Sequence, residues 1–304
     1  MNNRLLFIII FLIGILGGFF LLKSSSRRTD NTKLQVNTSF YPLFFFASEI
    51  GNDKSEVSNI TPPGSEPHAY DPTSQDIAKI ERGSMLVLNG SVEAWATKVQ
   101  ENLQGTKVRI VIAGEGLFSQ TIEEEGENQT DPHIWLDPLR AKKEVENITQ
   151  GYSTIDPTNT SYYQSNQKKL AERLDQLDEK FRKGLENCQQ KDFITSHAAF
   201  GYLATRYGLR QVPISGLSPD AEPSAKQLTE ITDFAKKNNV KYIFFESLVN
   251  PKLSDTIANE VGAKTLILDP LEGISDNDRQ QGKNYFTVME ENLKNLQIAL
   301  SCSN

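Results

Sequence analysis

The 304-residue chain contains only three histidines, and each lies in an unusual local sequence. His68 lies in GSEPHAYDPT, His133 in DPHIWLDP and His197 in TSHAAF. Asp269 of LDPLEG follows an apolar run and adds a carboxylate. Neutral imidazoles with a carboxylate are suitable ligands for Zn²⁺ and for other divalent transition metals. The sequence therefore offers four candidate ligands for one metal ion, provided that the fold brings them together.

Alternating strand and helix patterns predict the elements that position these side chains. Strand-like apolar runs lie at 33–40, 57–60, 85–90 and 107–113 in the first half, and at 191–196, 210–215, 241–247 and 263–269 in the second. Helical segments separate them, which is typical of a parallel sheet covered by helices. Ligands bind beyond the carboxyl ends of strands in such sheets. We therefore expect the three histidines and Asp269 at the facing edges of two lobes.

The middle of the chain predicts two successive helices. The first extends from Pro138 to about Tyr152, and the second begins near Pro157 and has apolar residues at helical spacing until Gly184. We predict an α/β fold with two lobes, each a mostly parallel sheet flanked by helices, joined by one long rigid linker helix. The predicted boundaries are a signal sequence or membrane anchor at 1–28, an N-terminal lobe at 29–155, the linker at 156–187 and a C-terminal lobe at 188–304.

The segment Leu5–Leu22 is clearly non-globular, since its 18 residues carry no charge. A secretory signal has an apolar core of about 7–15 residues, and a membrane-spanning helix needs roughly 17–25. The segment lies between the two, so it predicts either a signal sequence or a retained anchor, with the anchor slightly favoured. Both interpretations place the remaining residues outside the cytoplasmic membrane.

The charge distribution argues against one class of partner. The formal net charge is −7, and the first 28 residues contain four basic residues and no acidic one, so the rest of the chain is more acidic still. Such a chain, without a basic stripe, does not predict nucleic-acid binding, but it attracts cations. The acidic run at 123–125 is predicted to be a solvated loop, with weak cation recruitment as the alternative.

Two cysteines, Cys188 and Cys302, leave two interpretations open. An export signal permits a disulfide, because the compartment would be oxidising. Two unpaired small apolar residues are the alternative, since so wide a separation carries no spacing signal. Neither cysteine lies in a CxxC motif, which disfavours thiol redox chemistry and a thiolate metal site.

Five segments resemble, in chain order, the motifs of the solute-binding proteins of zinc and manganese ABC importers. They are GSEPHAYDPT, DPHIWLDP, TSHAAFGYLATRYGL, FFES and AKTLILDPLEG, and the similarity covers the chain after residue 33. The resemblance implies two lobes bridged by one rigid helix, with the metal in the cleft between them. Carried over residue by residue, it implies four ligands, one from each of four loops: His68, His133, His197 and Asp269. It also implies a monomer that delivers its metal to an ABC transporter membrane permease.

The same resemblance bears on the choice of metal. Manganese binders of the family tend to place Glu where His197 stands, and zinc binders have His. Three imidazoles and one carboxylate suit four-coordinate Zn²⁺, whereas Mn²⁺ prefers more oxygen ligands. We expect Zn²⁺ as the transported ligand, with Mn²⁺ or mixed Zn/Mn binding as the alternative.

Other residues of these motifs have predicted supporting roles. Glu66 is expected to hydrogen-bond a ligand imidazole, and Glu246 to be a neighbour of the cleft or an alternative oxygen ligand. Trp135 and Tyr70 are expected to pack the cleft walls. Asp131 and Asp137 are expected to act as turn and helix-cap residues that position His133.

A zinc hydrolase is the rival prediction from another class. It would need an open coordination position, a general base and a signature such as HExxH, and the chain has no HExxH. A surface adhesin is a third role, which the sequence neither supports nor excludes. We therefore predict a protein that is not an enzyme and that captures metal outside the cytoplasmic membrane.

Overall fold

The computed structural model describes residues 33–124 and 126–303, so the predicted signal or anchor segment, Leu5–Leu22, lies outside the described residues. Leu34 and the residues that follow it form one compact unit. Across the described ranges, no helix is both long enough and apolar enough to cross a membrane.

The first lobe is built on a four-stranded parallel sheet in the order β2-β1-β3-β4. The strands are β1 (Leu34–Thr38), β2 (Ser55–Asn59), β3 (Met85–Leu88) and β4 (Arg109–Ile112), and the helices between them are α1 (Tyr41–Gly51), α2 (Ser74–Glu81) and α3 (Ala96–Asn102). Strand β3 is buried along its whole length, as expected for a parallel strand covered on both faces. Thr73 and Asp76 form the capping box that starts α2.

The segment predicted as a solvated loop contains two short antiparallel strands, one on each side of the undescribed Glu125. Strand β5 (Thr121–Glu124) pairs with β6 (Glu127–Thr130). Gly126 has a φ of +83°, which is the left-handed conformation that a tight turn requires. The β5–β6 hairpin therefore lies between the first sheet and His133 along the chain.

Two long helices follow, as the sequence predicts. Helix α4 (Pro138–Ile155) begins at the predicted proline, and α5 (Thr160–Leu185) follows a short 3₁₀ turn. The 26 residues of α5 span about 39 Å. Its buried face packs on α1 and α4 of the first lobe and on a helix at the chain's C-terminal end, here α10 (Tyr285–Ala299). One helix therefore contacts both halves of the core.

The second lobe repeats the first architecture, with a parallel sheet in the order β10-β9-β7-β8. Its strands are β7 (Asp192–Thr195), β8 (Arg210–Pro213), β9 (Tyr242–Phe245) and β10 (Lys264–Ile267), and its remaining helices are α6 (Gly201–Arg206), α7 (Ala225–Lys237), α8 (Lys252–Val261) and α9 (Asp276–Gln280). A disulfide joins Cys188 to Cys302 and ties the chain end to the start of this lobe. The predicted fold class is confirmed.

The carboxyl group of Glu144 is buried in the first lobe. Glu144 on α4 is fully buried, and neither of its carboxylate oxygens has a hydrogen-bond partner among the described residues. Burial, with a further contribution from Glu93, raises the pKa of Glu144 well above its usual value. The folded protein therefore keeps this group protonated at a pH where the unfolded chain would ionise it.

Replacing Glu144 by Gln should make the stability of the protein less dependent on pH. Because the folded pKa is raised, the wild type loses stability as the pH rises above the usual carboxyl pKa, at about 1.4 kcal/mol for each pH unit until the folded pKa is passed. We expect Glu144→Gln to unfold at higher guanidinium concentration than wild type at pH 8, and the difference to shrink towards pH 4. A constant difference between the two pH values would show that Glu144 is ionised in the folded state.

Candidate metal centre

Four side chains converge at the carboxyl ends of the two sheets. His68, His133, His197 and Glu272 each contribute one atom, and these atoms all lie within 4.8 Å of one another. His133, His197 and Glu272 are buried, and the side chain of His68 is 11% exposed. The first lobe supplies two of the imidazoles, and the second lobe supplies the third imidazole and the carboxylate.

The spacing of these atoms matches a tetrahedral metal site. Oε1 of Glu272 lies 3.3 Å from Nε2 of His68, 3.2 Å from Nε2 of His133 and 3.3 Å from Nε2 of His197. Nε2 of His133 lies 3.4 Å from Nε2 of His197. A tetrahedron with zinc–ligand bonds of about 2.0 Å has edges of about 3.3 Å. Four of the six edges therefore have the length that a zinc site requires, and the two edges from His68 to the other imidazoles are no longer than 4.8 Å.

Asp131 and Trp135 fix the His133 imidazole in place. Oδ1 of Asp131 lies 2.9 Å from the backbone nitrogen of His133 and 2.9 Å from its Nδ1. The ring of Trp135 packs 5.1 Å from the imidazole centroid, and its Nε1 donates to the carbonyl oxygen of Pro270 at 2.7 Å. A carboxylate on Nδ1 fixes the tautomer and leaves Nε2 free to bind a metal. The predicted roles of Asp131 and Trp135 are therefore confirmed.

His197 lies in an irregular loop between β7 and α6, which begins four residues later. Side chains hydrogen-bond the backbone of this loop. Oγ1 of Thr195 and Nε2 of Gln211 donate to the carbonyl oxygen of His197 at 2.7 and 2.8 Å. Nδ1 of His197 lies 2.5 Å from Oε1 of Glu246, which also accepts from the hydroxyl of Ser196. Glu246 thus supports the imidazole through Nδ1, while Nε2 faces Glu272.

The Glu66 carboxylate holds the backbone of the loop that carries His68. Glu66 accepts hydrogen bonds from the backbone nitrogens of His68 and Ala69, both at 3.0 Å. Glu66 was expected to bond an imidazole, and that expectation is corrected, because its carboxylate closes the turn instead. Tyr70 also differs from expectation: its hydroxyl donates to Asp76 at 2.8 Å, and its ring packs on a separate apolar cluster of the first lobe.

The carboxylate that lies 3.2–3.3 Å from the three imidazoles is that of Glu272, not that of Asp269. Oδ1 of Asp269 accepts from the backbone nitrogen of Leu271 at 2.7 Å, and Oδ2 accepts from the hydroxyl of Ser247. Leu271 has a φ of +60° and is fully buried, so the chain turns sharply there and directs Glu272 into the cleft. The prediction of Asp269 as the fourth residue is therefore corrected to Glu272, because Asp269 forms the turn.

The electrostatics of the group favour a bound cation. Burial alone would lower the pKa of His197, but Glu246 and Glu272 outweigh it and raise that pKa well above its usual value. Burial likewise opposes the charged form of His133, yet Asp131 and Glu272 raise its pKa. Burial would raise the pKa of Glu272, but His197 and the three imidazole contacts hold it well below its usual value. The carboxylate of Glu272 and the carboxylates behind the imidazoles therefore favour positive charge at the point that the four atoms face.

Comparison with known families agrees with this geometry. The model of the ZnuA family, described as zinc-uptake complex component A, periplasmic, matches residues 36–299. The chain belongs to this family. Its members include the high-affinity zinc uptake system protein ZnuA of Bacillus subtilis (strain 168), which is 40% identical over 90% of either chain.

Solved structures that are similar to this chain show the same architecture. The Zn(II)-bound ZnuA-like domain of AdcA from Streptococcus pneumoniae aligns with a TM-score of 0.77 at 40% identity, covering 88% of this chain and 99% of that domain. The laminin-binding protein Lmb of Streptococcus agalactiae aligns with a TM-score of 0.80 at 35% identity, covering 88% and 100%. The chain spans 59% of the length of whole AdcA, the zinc-binding lipoprotein of Streptococcus pneumoniae (strain ATCC BAA-255 / R6).

Proposed function

We propose that this protein captures Zn²⁺ outside the cytoplasmic membrane and delivers it to the membrane permease of an ABC importer. The ligands of this proposal are His68, His133, His197 and Glu272. The proposal rests on the spacing of their four ligand atoms, which is 3.2–3.4 Å for four of the six atom pairs. Relatives named for zinc uptake and zinc binding support the same conclusion.

Reversible capture follows from how the site is divided. Because His68 and His133 belong to one lobe and His197 and Glu272 to the other, a separation of the lobes would split the ligand set into two pairs. Two ligands hold zinc much less tightly than four, so opening would release the ion. The long helix α5 connects the lobes and limits the directions in which they move. The boundaries proposed for the lobes and the linker are those predicted from the sequence.

A transport role fits the site better than catalysis does. Catalytic zinc sites keep one coordination position for water or substrate, and structural or storage sites are closed by four protein ligands. The four protein atoms that converge here are enough to supply all four ligands of such a closed site. Measurable hydrolase turnover that disappears when zinc is removed would contradict this proposal.

Zinc is favoured over manganese by the donor set. Three imidazole nitrogens and one carboxylate suit Zn²⁺, whereas Mn²⁺ prefers a shell richer in oxygen. The direct test is metal analysis of the purified full-length protein after exposure to equal concentrations of both ions. We expect one zinc per chain and no displacement by equimolar manganese. Less than one metal per chain would contradict the capture role, and a manganese excess would contradict only the choice of metal.

We also propose where the protein acts and which partner it meets. The protein acts as a monomer outside the cytoplasmic membrane, and residues 5–22 either direct its export or hold it at the membrane surface. The family description as a periplasmic component supports the extracytoplasmic location. The partner is a permease driven by a cytoplasmic ATPase, and no nucleic acid is involved.

Zinc binding near neutral pH should release protons. The raised pKa values of His133 and His197 mean that the metal-free site binds protons above the usual imidazole pKa, roughly 6.5, and zinc must displace them. We expect about one to two protons to be released per zinc, and the affinity to rise with pH until these raised pKa values are passed. Calorimetry at pH 7 in two buffers of different ionisation enthalpy measures the number. Identical heats in both buffers would contradict it.

A further inference from the structure

We infer that Tyr202, in the second lobe, is a positioning residue for the metal site in the cleft. Its hydroxyl fixes the first-lobe segment that aims the His133 imidazole. This inference rests on the proposed function, since it concerns how tightly the same site holds its ion. In the part of the chain that the structure describes, the Tyr202 hydroxyl bonds backbone groups of Ser119, Gln120 and Asp131 and none of the four ligand side chains.

The Tyr202 hydroxyl joins both ends of the β5–β6 hairpin. It accepts hydrogen bonds from the backbone nitrogens of Ser119 at 3.0 Å and Gln120 at 3.2 Å, and it donates to the carbonyl oxygen of Asp131 at 3.1 Å. Ser119 and Gln120 precede β5, and Asp131 follows β6. Tyr202 is only 1% exposed, so water does not replace these bonds when the hydroxyl is removed.

Asp131 carries the effect of the hydroxyl to the metal site. Its carbonyl group bonds Tyr202, while Oδ1 of its side chain lies 2.9 Å from Nδ1 of His133. Space around Asp131 is limited on the same side, because a Cβ added to Gly201 would lie 2.8 Å from its Oδ2. A shift of the Asp131 backbone would therefore move the carboxylate that orients the imidazole.

The contact surface between the β5–β6 hairpin and α6, which we call the seam, also includes the loop that carries His197. Tyr202 lies on α6, which begins four residues after His197. The Arg140 guanidinium of the first lobe packs 4.4 Å over the Tyr202 ring. Gln120 adds a further bond across the seam, from Nε2 to Oγ1 of Thr205 at 3.0 Å. Tyr202 thus sets the position of one ligand loop relative to another.

A second contact holds the far end of the hairpin against the second lobe. The Glu124 carboxylate accepts from the backbone nitrogen of Leu217. The carbonyl oxygen of the preceding residue, Gly216, accepts from the backbone nitrogen of Ala198 at 2.8 Å, next to His197. The hairpin therefore contacts the second lobe on both sides of the His197 loop, which is consistent with a seam that must hold while the metal is bound.

Loss of the hydroxyl should weaken metal binding without removing a ligand. A residue that bonds a ligand imidazole directly costs roughly 10–100-fold in metal affinity when it is lost. Tyr202 acts one step further away, through Asp131, so we expect about a 3- to 10-fold increase in the zinc Kd for Tyr202→Phe. The dissociation rate of zinc should rise by the same factor, because the substitution destabilises the closed arrangement of the ligands around the ion.

Tyr152→Phe is the matched control. Tyr152 is equally buried, and its hydroxyl bonds within the first lobe, donating to the carbonyl oxygen of Ala47 at 3.0 Å and lying 3.1 Å from the hydroxyl of Ser55. Zinc Kd by chelator competition, the visible spectrum of the Co²⁺-loaded protein and the thermal unfolding of the metal-free protein are compared for both variants. Both should unfold at lower temperature than wild type, but only Tyr202→Phe should change the Kd and the cobalt spectrum.

A metal-independent readout separates this inference from the proposed function. The Nδ1 proton of His133, observed by ¹⁵N NMR in the metal-free protein, should exchange with solvent faster in Tyr202→Phe and not in Tyr152→Phe. If Tyr202→Phe kept the wild-type zinc Kd and the wild-type proton exchange, the role of Tyr202 would be overturned and the proposed function would stand. The same would follow if both variants weakened zinc binding equally. Absence of zinc binding by wild type would overturn the proposed function, and the NMR comparison would still decide the role of Tyr202. If Tyr202→Phe does not fold, Gly201→Ala tests the same seam, with the same Kd and NMR changes expected.

Discussion

Glu272→Gln should weaken zinc binding by at least the roughly 100-fold that marks the upper end for loss of a residue supporting a ligand, whereas Asp269→Asn should change the Kd by less than about threefold. Glutamine keeps the shape of Glu272 but loses the negative charge that faces three imidazoles at 3.2–3.3 Å. Asparagine at 269 still offers an oxygen to the Leu271 nitrogen, so the turn survives. The measurement is chelator competition with both variants at pH 7.

This pair of variants compares two carboxylates that lie three residues apart in the same loop. Thermal unfolding of the metal-free proteins serves as the control, because an effect transmitted through the turn would lower the stability of Asp269→Asn as well as its affinity. A larger loss of zinc affinity in Asp269→Asn than in Glu272→Gln, with both variants folded, would reverse the assignment of the fourth ligand.

His197→Ala should abolish zinc binding at micromolar concentrations and also destabilise the metal-free protein. The imidazole separates the carboxylates of Glu246 and Glu272, at 2.5 and 3.3 Å, in a site from which water is excluded. Removing it leaves two buried carboxylates without their shared partner. Loss of one partner from a buried charged pair costs about 3–5 kcal/mol. We expect the free energy of unfolding of the metal-free variant to fall by that order.

His68→Ala is the appropriate comparison for this second effect. His68 is the most exposed of the four residues, and it contacts Glu272 but neither Glu246 nor Asp131 in the described structure. It should lose zinc affinity as His197→Ala does, yet retain most of the metal-free stability in guanidinium unfolding. Equal destabilisation of the two variants would contradict the supporting role assigned to Glu246.

The sequence predicts the three histidines of the site because they are rare and lie where strands end. It does not predict the carboxylate correctly. Asp269 directly follows an apolar run, which favours a ligand position, but Asp-Pro also starts turns. Which interpretation is right depends on Leu271, which is fully buried and has a left-handed backbone conformation. No local pattern encodes a positive φ at a leucine, so Glu272 is identified only by the three-dimensional structure.

The architecture is predictable for a simpler physical reason. Strand and helix periods, together with the apolar face of α5, determine the two lobes and their connection. The hairpin at residues 121–130 is different, since its strands are short, acidic and largely exposed. Its conformation depends on contacts with the other lobe, such as those of Tyr202 and Leu217, and tertiary contacts of this kind leave no periodic signal in the sequence.

Anomalous diffraction at the zinc edge from crystals of the zinc-loaded protein would locate the ion and show which four residues bind it. We expect a single peak in the cleft, about 2.0–2.2 Å from Nε2 of the three histidines and from a carboxylate oxygen of Glu272. Asp131 and Glu246 should remain on the Nδ1 atoms of His133 and His197, outside the coordination shell. A zinc ion bound by Asp269 or by Glu246, or a peak outside the cleft, would contradict the assignment of the four ligands.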